Sequence, residues 1–543
     1  MPSPRTLALV ALLVLGAVAT PAATGTTPRA EDARIVAAYP NPVADGDRGE
    51  FVVLDVPSDT HLGGLTLADG EDRAQLPDRT VEGRVVLTTT PKRVPNGTDG
   101  RVLAVEGFPS LANAGETLVL RRGDRTVATV RYADAPEGEL RRWPGGWRPL
   151  GTTDFPVRHT DGGQATAFVL PDAPEIPVET LESADERVLL AGYTFTDGRV
   201  RRALVTAQRR GVEVRVLVDD APVGGLPRAM ARELDRLADA GVEVRVVGGP
   251  HARYDFHHAK YAVADDTALV MTENWKPAGT GGNSSRGWGV RLRDGGTVRA
   301  LAATFRADFE GREARRWPAF RRGRHFEPGD RSNATYPTRF DPERVEVRNT
   351  SVLVAPENAE EAVVERLAAA EESISVVQVS LGGAGGPFAT ALLRAARRGV
   401  RVRILLSGAW YAHEENARLA EALNERAKSR DLPLSVRLAD PDGRFRKVHA
   451  KGAIVDGETV LVGSLNWNAH AARENREVLL ALRGPEVADY YGRVFEADWS
   501  AGRGPDLPVG LLVAVAFAAL VAVVVARRVR FDEDRGEQGV WGW

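Results

Sequence analysis

Nine histidines and six lysines are spread through 543 residues, yet twice a lysine stands two places after a histidine. The pairs are His258 and Lys260 in "FHHAKYAVADDTALVMTENW", and His449 and Lys451 in "VHAKGAIVDGETVLVGSLNW". Nearly every other basic side chain is arginine, so these two lysines are unusual for the chain. An aspartate, Asp265 or Asp456, follows each lysine at the same distance, and an asparagine, Asn274 or Asn466, closes each segment. On an extended strand, residues i and i+2 share a face. Each histidine is therefore expected beside its lysine, a nucleophile or proton donor next to a fixed positive charge. Thr272 and Asn274, like Ser464 and Asn466, would add hydroxyl and amide donors. Two such sets meeting at one point suit a group with several anionic oxygens, above all a phosphodiester.

The elements that must position these residues are themselves repeated. "AQRRGVEVRVLVDD" (207–220) matches "AARRGVRVRILLSG" (395–408): the end of a helix, a glycine stop, then an apolar strand. An apolar strand precedes each ("RVLLAGYTFTDG", "SISVVQVSLGGAGG"). A charged amphipathic helix ("PRAMARELDRLADAG", "EENARLAEALNERAKS") and another strand follow, and the His-x-Lys segment closes each unit. Strands alternating with helices predict layered α/β/α lobes, at 165–325 and 350–500, joined by a linker at 326–349. The arginine-rich run at 312–324 reads as a solvated inter-lobe segment, with phosphate binding as the alternative.

The second segment resembles the phospholipase D superfamily signature H-x-K-x4-D-x6-G-S-x-N at every fixed place: His449, Lys451, Asp456, Gly463, Ser464 and Asn466. The first matches at His258, Lys260, Asp265 and Asn274. Its loop is one residue shorter, with Met271 for glycine and Thr272 for serine. The resemblance implies two-step phosphoryl transfer through a phosphohistidine, with His258 as nucleophile and His449 as general acid/base, or the reverse. It also implies that Lys260, Lys451, Asn274 and Asn466 hold the phosphate oxygens, supported by Thr272 and Ser464. Asp265 and Asp456 belong to the motif and read better as structural acceptors than as catalysts. "ENREVLLAL" is similar to the family's next strand and puts Glu477 where a carboxylate orients an active-site histidine. The first copy has Gly287 there; Glu273, beside Asn274, could substitute for the carboxylate but reads rather as a solvent-facing turn residue. No metal or other cofactor is implied.

Residues 31–135 carry short alternating runs separated by turns, which predict a β-sandwich. "YPNPVADGDRGEFVVLDV", "LGGLTLADG" and "LANAGETLVLRRGDRTVATVRY" resemble the lamin-tail family, which implies a small immunoglobulin-like module. Residues 136–164 read as a linker. At the start, Arg5, an apolar run and small residues through 23 read as a secretory signal peptide. Leu507 to Ala526 is free of charge and long enough to span a bilayer as one transmembrane helix, and Arg527 to Arg530 follow it. This pattern predicts an exported, single-pass protein of the cell membrane, with extracellular lobes and a cytoplasmic tail at 527–543. The absence of cysteine excludes disulfides, thiol nucleophiles and thiolate metal sites. A net charge of −3 argues against a chain that is basic overall.

Two functions from different classes fit. One is a membrane-anchored phosphodiesterase acting on phospholipid head groups or nucleic acid. The other is a non-catalytic surface protein that binds phosphate, lipid or nucleic acid, or serves in adhesion, with a degenerate first motif. Neither calls for an obligate protein partner.

Overall fold

Gly211 and Gly399 both take φ of +97°, a left-handed conformation that costs glycine little. They end the helices Gly198–Arg210 and Pro387–Arg397. Val212 and Val400 then turn back to bond the carbonyls of Ala207 and Ala395, and the chain enters the strands Glu213–Asp219 and Arg401–Leu406. The same helix stop thus feeds the same strand in both repeats. These observations come from a computed structural model, which describes residues 32–44, 48–94, 98–329 and 332–502, with residues 518 and 523 beyond them.

Each lobe is built on a mixed sheet. In the first, Arg187–Gly192, Glu213–Asp219 and Glu243–Val247 pair in parallel, joined by helices, while Tyr261–Ala264, Thr267–Met271 and Ser285–Leu292 continue the sheet antiparallel. The second repeats this with Ser373–Gln378, Arg401–Leu406 and Leu434–Leu438, then Gly452–Val455, Thr459–Gly463 and Glu477–Arg483. The expected linkers are not linkers. Arg158–Thr160 pairs with Asn349–Ala355 at the edge of the second sheet, and Glu343–Val347 pairs with Gly163–Leu170 at the edge of the first. Each segment is recruited because an unpaired sheet edge leaves backbone donors and acceptors unsatisfied. The arginine-rich run is largely exposed, as expected of a solvated segment, though Arg321 meets Asp235 at 2.9 Å, Arg315 pairs with Asp220, and Arg324 lies over Phe320.

One apolar core joins the lobes. Val290, Leu301 and Phe305 of the first share it with Val462, Leu480 and Tyr491 of the second. Trp288 stacks on Tyr491 with ring centres 4.6 Å apart, and Gly452 makes room, since a Cβ there would lie 2.4 Å from the indole. Two buried arginines bridge the lobes in pseudo-symmetric fashion. Arg476 contacts Asp308 of the first lobe at 2.9 Å and Glu357 of its own at 2.8 Å. Arg286 contacts Asp498 of the second lobe at 3.0 Å and Asp172 of its own.

The chain divides after Thr152. The preceding unit holds two sheets. One runs Trp147–Pro149, Glu139–Arg142, Arg34–Tyr39, Phe51–His61, Thr80–Thr88, Arg101–Ala104. The other runs Arg73–Gln75, Leu65–Ala68, Gly115–Arg122, Arg125–Ala133. Val52 and Leu54 of one share a core with Leu67, Leu118 and Leu120 of the other, which is a β-sandwich arrangement. Its strands continue past residue 135, to Pro149. Among the described residues no helix is long and apolar enough to cross a membrane. The expected signal at 1–23, the span at 507–526 (apart from residues 518 and 523) and the tail at 527–543 lie outside the described residues.

Removing one partner from a buried ion cluster leaves the others charged and uncompensated. Arg476→Ala is therefore expected to destabilise the two-lobe unit by about 3–5 kcal/mol, read from chemical denaturation. A loss below about 1 kcal/mol, as at an exposed pair, would contradict this bridging role.

Candidate active site

The His-x-Lys segments lie just ahead of strands rather than within them, because regular pairing inside each lobe begins only at Tyr261 and Gly452. What holds them instead is the opposite lobe. The His258 N–H donates to the carbonyl of Arg476, and the His449 N–H donates to the carbonyl of Arg286, both at 2.9 Å. Flanking bonds extend each contact: Asp255 N–H to Glu474, Arg476 N–H to Phe256, and Arg446 N–H to Ser284. The two segments are thus pinned reciprocally across the lobe boundary.

The side chains follow the same reciprocity. His258 Nδ1 lies 2.8 and 3.0 Å from the two oxygens of Glu477, across the boundary. His449 Nδ1 lies 3.3 Å from Glu273 of the first lobe, without the alignment of a hydrogen bond. Glu273 is wholly buried, which corrects the expectation of a solvent-facing turn residue. The lysines are buried too, and each ammonium donates to the carbonyl of its own motif histidine, at 2.7 Å from Lys451 to His449. Asn274 and Asn466 keep side-chain carbonyl oxygens that are buried and without a hydrogen-bond donor.

Other motif residues are employed differently. The Ser464 hydroxyl accepts from Val478 N–H at 3.0 Å and donates to its carbonyl at 3.2 Å. Thr272 Oγ1 accepts from Trp288 N–H at 3.0 Å. Both oxygens therefore tie the motif to the adjacent strand; Ser464 also spends its proton there, which corrects its assignment as a substrate ligand, whereas Thr272 only accepts. Asp265 and Asp456, grouped by the motif with the catalytic residues, sit at hairpin turns with φ of 51° and 52°. Each accepts three backbone N–H groups, from residues 185–187 and 371–373 respectively. Six residues separate each from its histidine, an extended path of about 20 Å, so they organise the hairpin rather than the site.

Met271 faces Gly289, whereas Gly463 faces Leu479. A Cβ on Gly463 would lie 2.4 Å from Leu479 Cα, and one on Gly289 would lie 2.3 Å from the Phe168 ring, so each lobe keeps one glycine in this pair for a different neighbour. Tyr193 is a residue sequence reading passes over: its ring lies 4.7 Å from that of His258, with the Lys260 ammonium 5.4 Å from its centre. The only signal was an aromatic at the end of the strand "VLLAG".

Burial sets the electrostatics. It lowers His258 to about 4, against the opposing pull of Glu477, and lowers His449 well below the usual histidine value, helped by Lys451. It lowers Lys451 to about 7 and Lys260 well below the ordinary ammonium value. Burial also raises Glu273. At Glu477 the same penalty is outweighed by His258 and Lys260, and its carboxyl is held below the ordinary value. Lys451 acts on His258 and Lys260 on His449, so both motifs contribute to one electrostatic site. Such a cluster of buried donors is stabilised by an anion with several oxygens.

Residues 178–310 and 363–499 match the family described as the cardiolipin synthase, PLD-like domain. Both lobes are phospholipase D-like domains, and through them the chain belongs to the phospholipase D superfamily. The mitochondrial cardiolipin hydrolase of Xenopus tropicalis is 33% identical over 112 residues, 21% of this chain and 48% of that protein. Cardiolipin synthase B of Salmonella typhimurium is 28% identical over 159 residues, 26% of this chain and 36% of that protein. The chain thus spans about half the length, or less, of these curated relatives. Among solved structures, the phosphatidylserine synthase of Haemophilus influenzae aligns with a TM-score of 0.45 at 15% identity, covering 62% of this chain and 87% of that one.

The pKa directions yield a pH profile for turnover of a soluble phosphodiester. Protonation of His258 below about 4 and loss of the Lys451 charge above about 7 make kcat/KM, which reports the free enzyme, fall on both sides. An unchanged kcat/KM between about pH 6 and 9 would contradict a role for the Lys451 charge.

Proposed function

We propose that the two lobes form a phosphodiesterase that works through a phosphohistidine on His258. Nδ1 of His258 donates to Glu477, which leaves the lone pair on Nε2 free to attack phosphorus. The ester P–O bond breaks, and its oxygen takes a proton from Nε2 of His449. His449 then takes a proton from water as the water oxygen attacks phosphorus, the P–N bond breaks, and His258 is restored. Lys260, Lys451, Asn274 and Asn466 surround the non-bridging oxygens, with the lysines supplying the positive charge. The diester's own charge raises both imidazoles from their depressed values, so a proton can reside on His449 when substrate is bound. The observation that carries this reading is the reciprocal placement of each histidine against a carboxylate of the opposite lobe. A surface that only bound phosphate would have no use for two such imidazoles, and the close approach of Glu273 to His449 supports a working first motif despite Gly287.

We take the substrate class to be phospholipid. The curated relatives are named for cardiolipin, and three exposed apolar side chains stand beside the site. Val223 is 82% exposed and its N–H bonds the Tyr193 hydroxyl; Trp410 is 86% exposed and meets Tyr411, over which Lys447 lies. Exposed aromatic and aliphatic tips at a site mouth favour a lipid surface. Export through residues 1–23, a single anchor at 507–526, extracellular lobes and a cytoplasmic tail complete the proposal, supported by the sequence pattern at both ends. The two-sheet unit supports the immunoglobulin-like, lamin-tail assignment of the N-terminal domain.

Turnover of bis(p-nitrophenyl) phosphate in excess EDTA is expected from the wild type and lost in both His258→Ala and His449→Ala. Undiminished turnover in either variant would contradict the assigned roles. In parallel digests, phospholipid vesicles should be cleaved, and plasmid and single-stranded DNA left intact. Trp410→Ala should slow vesicle cleavage about tenfold, a cost of about 1.4 kcal/mol, and leave the soluble diester unaffected. DNA cleavage without lipid cleavage would reverse the substrate assignment.

A further inference from the structure

The first lobe has Gly287 where the second has Glu477, and the space above that glycine is already filled. A Cβ on Gly287 would lie 2.2 Å from Cγ of Glu273. The register explains why. Met271 pairs with Gly289, and Thr272 N–H donates to the Trp288 carbonyl, which brings residue 273 beside residue 287. In the second lobe Gly463 pairs with Leu479, and Ser464 N–H donates to the Val478 carbonyl, which brings Leu465 beside Glu477. One cross-strand position therefore holds glutamate and glycine in the first lobe, and leucine and glutamate in the second. The carboxylate has changed strands while its target has stayed the same, the Nδ1 edge of the opposite lobe's histidine.

We propose that Glu273 is the positioning residue of His449, a carboxylate re-sited from the strand at 287 to the loop at 273. The proposal rests on the reading of His258 and His449 as the catalytic pair. Glu273 is fully buried, and neither of its oxygens accepts a hydrogen bond. Burying a carboxylate without donors is costly. The groups that act on it are Lys451, Lys276, Lys447 and Lys260, and it acts in turn on Tyr411. His449 Nδ1, at 3.3 Å, is the donor that a small rotation would align. An Nδ1–H held toward Glu273 directs Nε2 to the phosphate, and a negative charge at this place favours the protonated imidazole that delivers a proton to the leaving oxygen. Glu477 differs in already being aligned on His258, and it also receives the Asn475 amide at 3.3 Å. The two histidines are therefore oriented by carboxylates of unequal geometry, as suits one that forms the covalent bond and one that transfers protons.

The test compares kcat and KM for bis(p-nitrophenyl) phosphate in wild type, Glu273→Gln, Glu273→Leu and the double variant Glu273→Leu/Gly287→Glu, which installs the second lobe's arrangement in the first. Glu273→Leu is expected to lower kcat on the order of 10²-fold with KM within about threefold, and the double variant to recover most of that loss. Glu273→Gln keeps the volume and is expected to lose about tenfold or more in kcat. It stays informative if the leucine variants fail to fold. A kcat within about threefold of wild type for folded Glu273→Gln, or a folded double variant no better than Glu273→Leu, would overturn the proposal. His449→Ala, measured alongside, separates the two levels. If that variant keeps full turnover, the catalytic-pair reading itself fails. If it is inactive while Glu273→Gln is unaffected, only the positioning role fails.

Discussion

Two backbone hydrogen bonds, from His258 to Arg476 and from His449 to Arg286, fix the geometry on which the candidate site depends. Each motif segment joins its own sheet only after its lysine and would be a free loop if its donors found no partner, which buried backbone rarely tolerates. The partner is the residue just before Gly287 or Glu477 in the opposite lobe. That same residue is the arginine whose side chain spans the interface. Backbone pairing, ion bridge and histidine orientation thus converge on two short segments, 285–288 and 475–478. Neither lobe alone supplies both the histidine and its carboxylate.

The electrostatic consequence is a site held in tension. Two lysines, two glutamates and His258 lie buried together beside a partly exposed His449, and burial opposes the charge on each. These surroundings favour neutral imidazoles and weaken both ammonium ions. An anion entering between them restores the charges and accepts hydrogen bonds from the lysines and from the side-chain amides of the two asparagines. Preorganised donors of this kind need no reorganisation when charge develops.

Much of this was legible in the residues. The duplicated His-x-Lys-x4-Asp spacing located both motifs, and the repeated "RRGV" stops located the helix-to-strand junctions that the left-handed glycines make. What escaped depends on contacts between residues far apart in sequence. The strands 158–160 and 343–347 looked like linkers, being short and polar at the surface, and only a sheet edge in need of a partner recruits them. Ser464 looked like a phosphate donor, but its hydroxyl proton is committed to a neighbouring strand. Glu273 was misread because its environment is set by the opposite lobe and by the missing side chain at 287, and a local reading registers neither.

The central claim is that the imidazoles of two lobes act in turn on one phosphorus atom. The most direct test is to quench a reaction of bis(p-nitrophenyl) phosphate, whose p-nitrophenolate leaves without needing a proton, with the His449→Ala variant and map the covalent adduct by peptide mass spectrometry. With the proton-transferring histidine removed, release of the enzyme should stall. The peptide carrying His258 should then gain the mass of the phosphoryl-bearing product. No adduct under conditions where leaving group is released, or an adduct on any residue other than His258, would contradict the account.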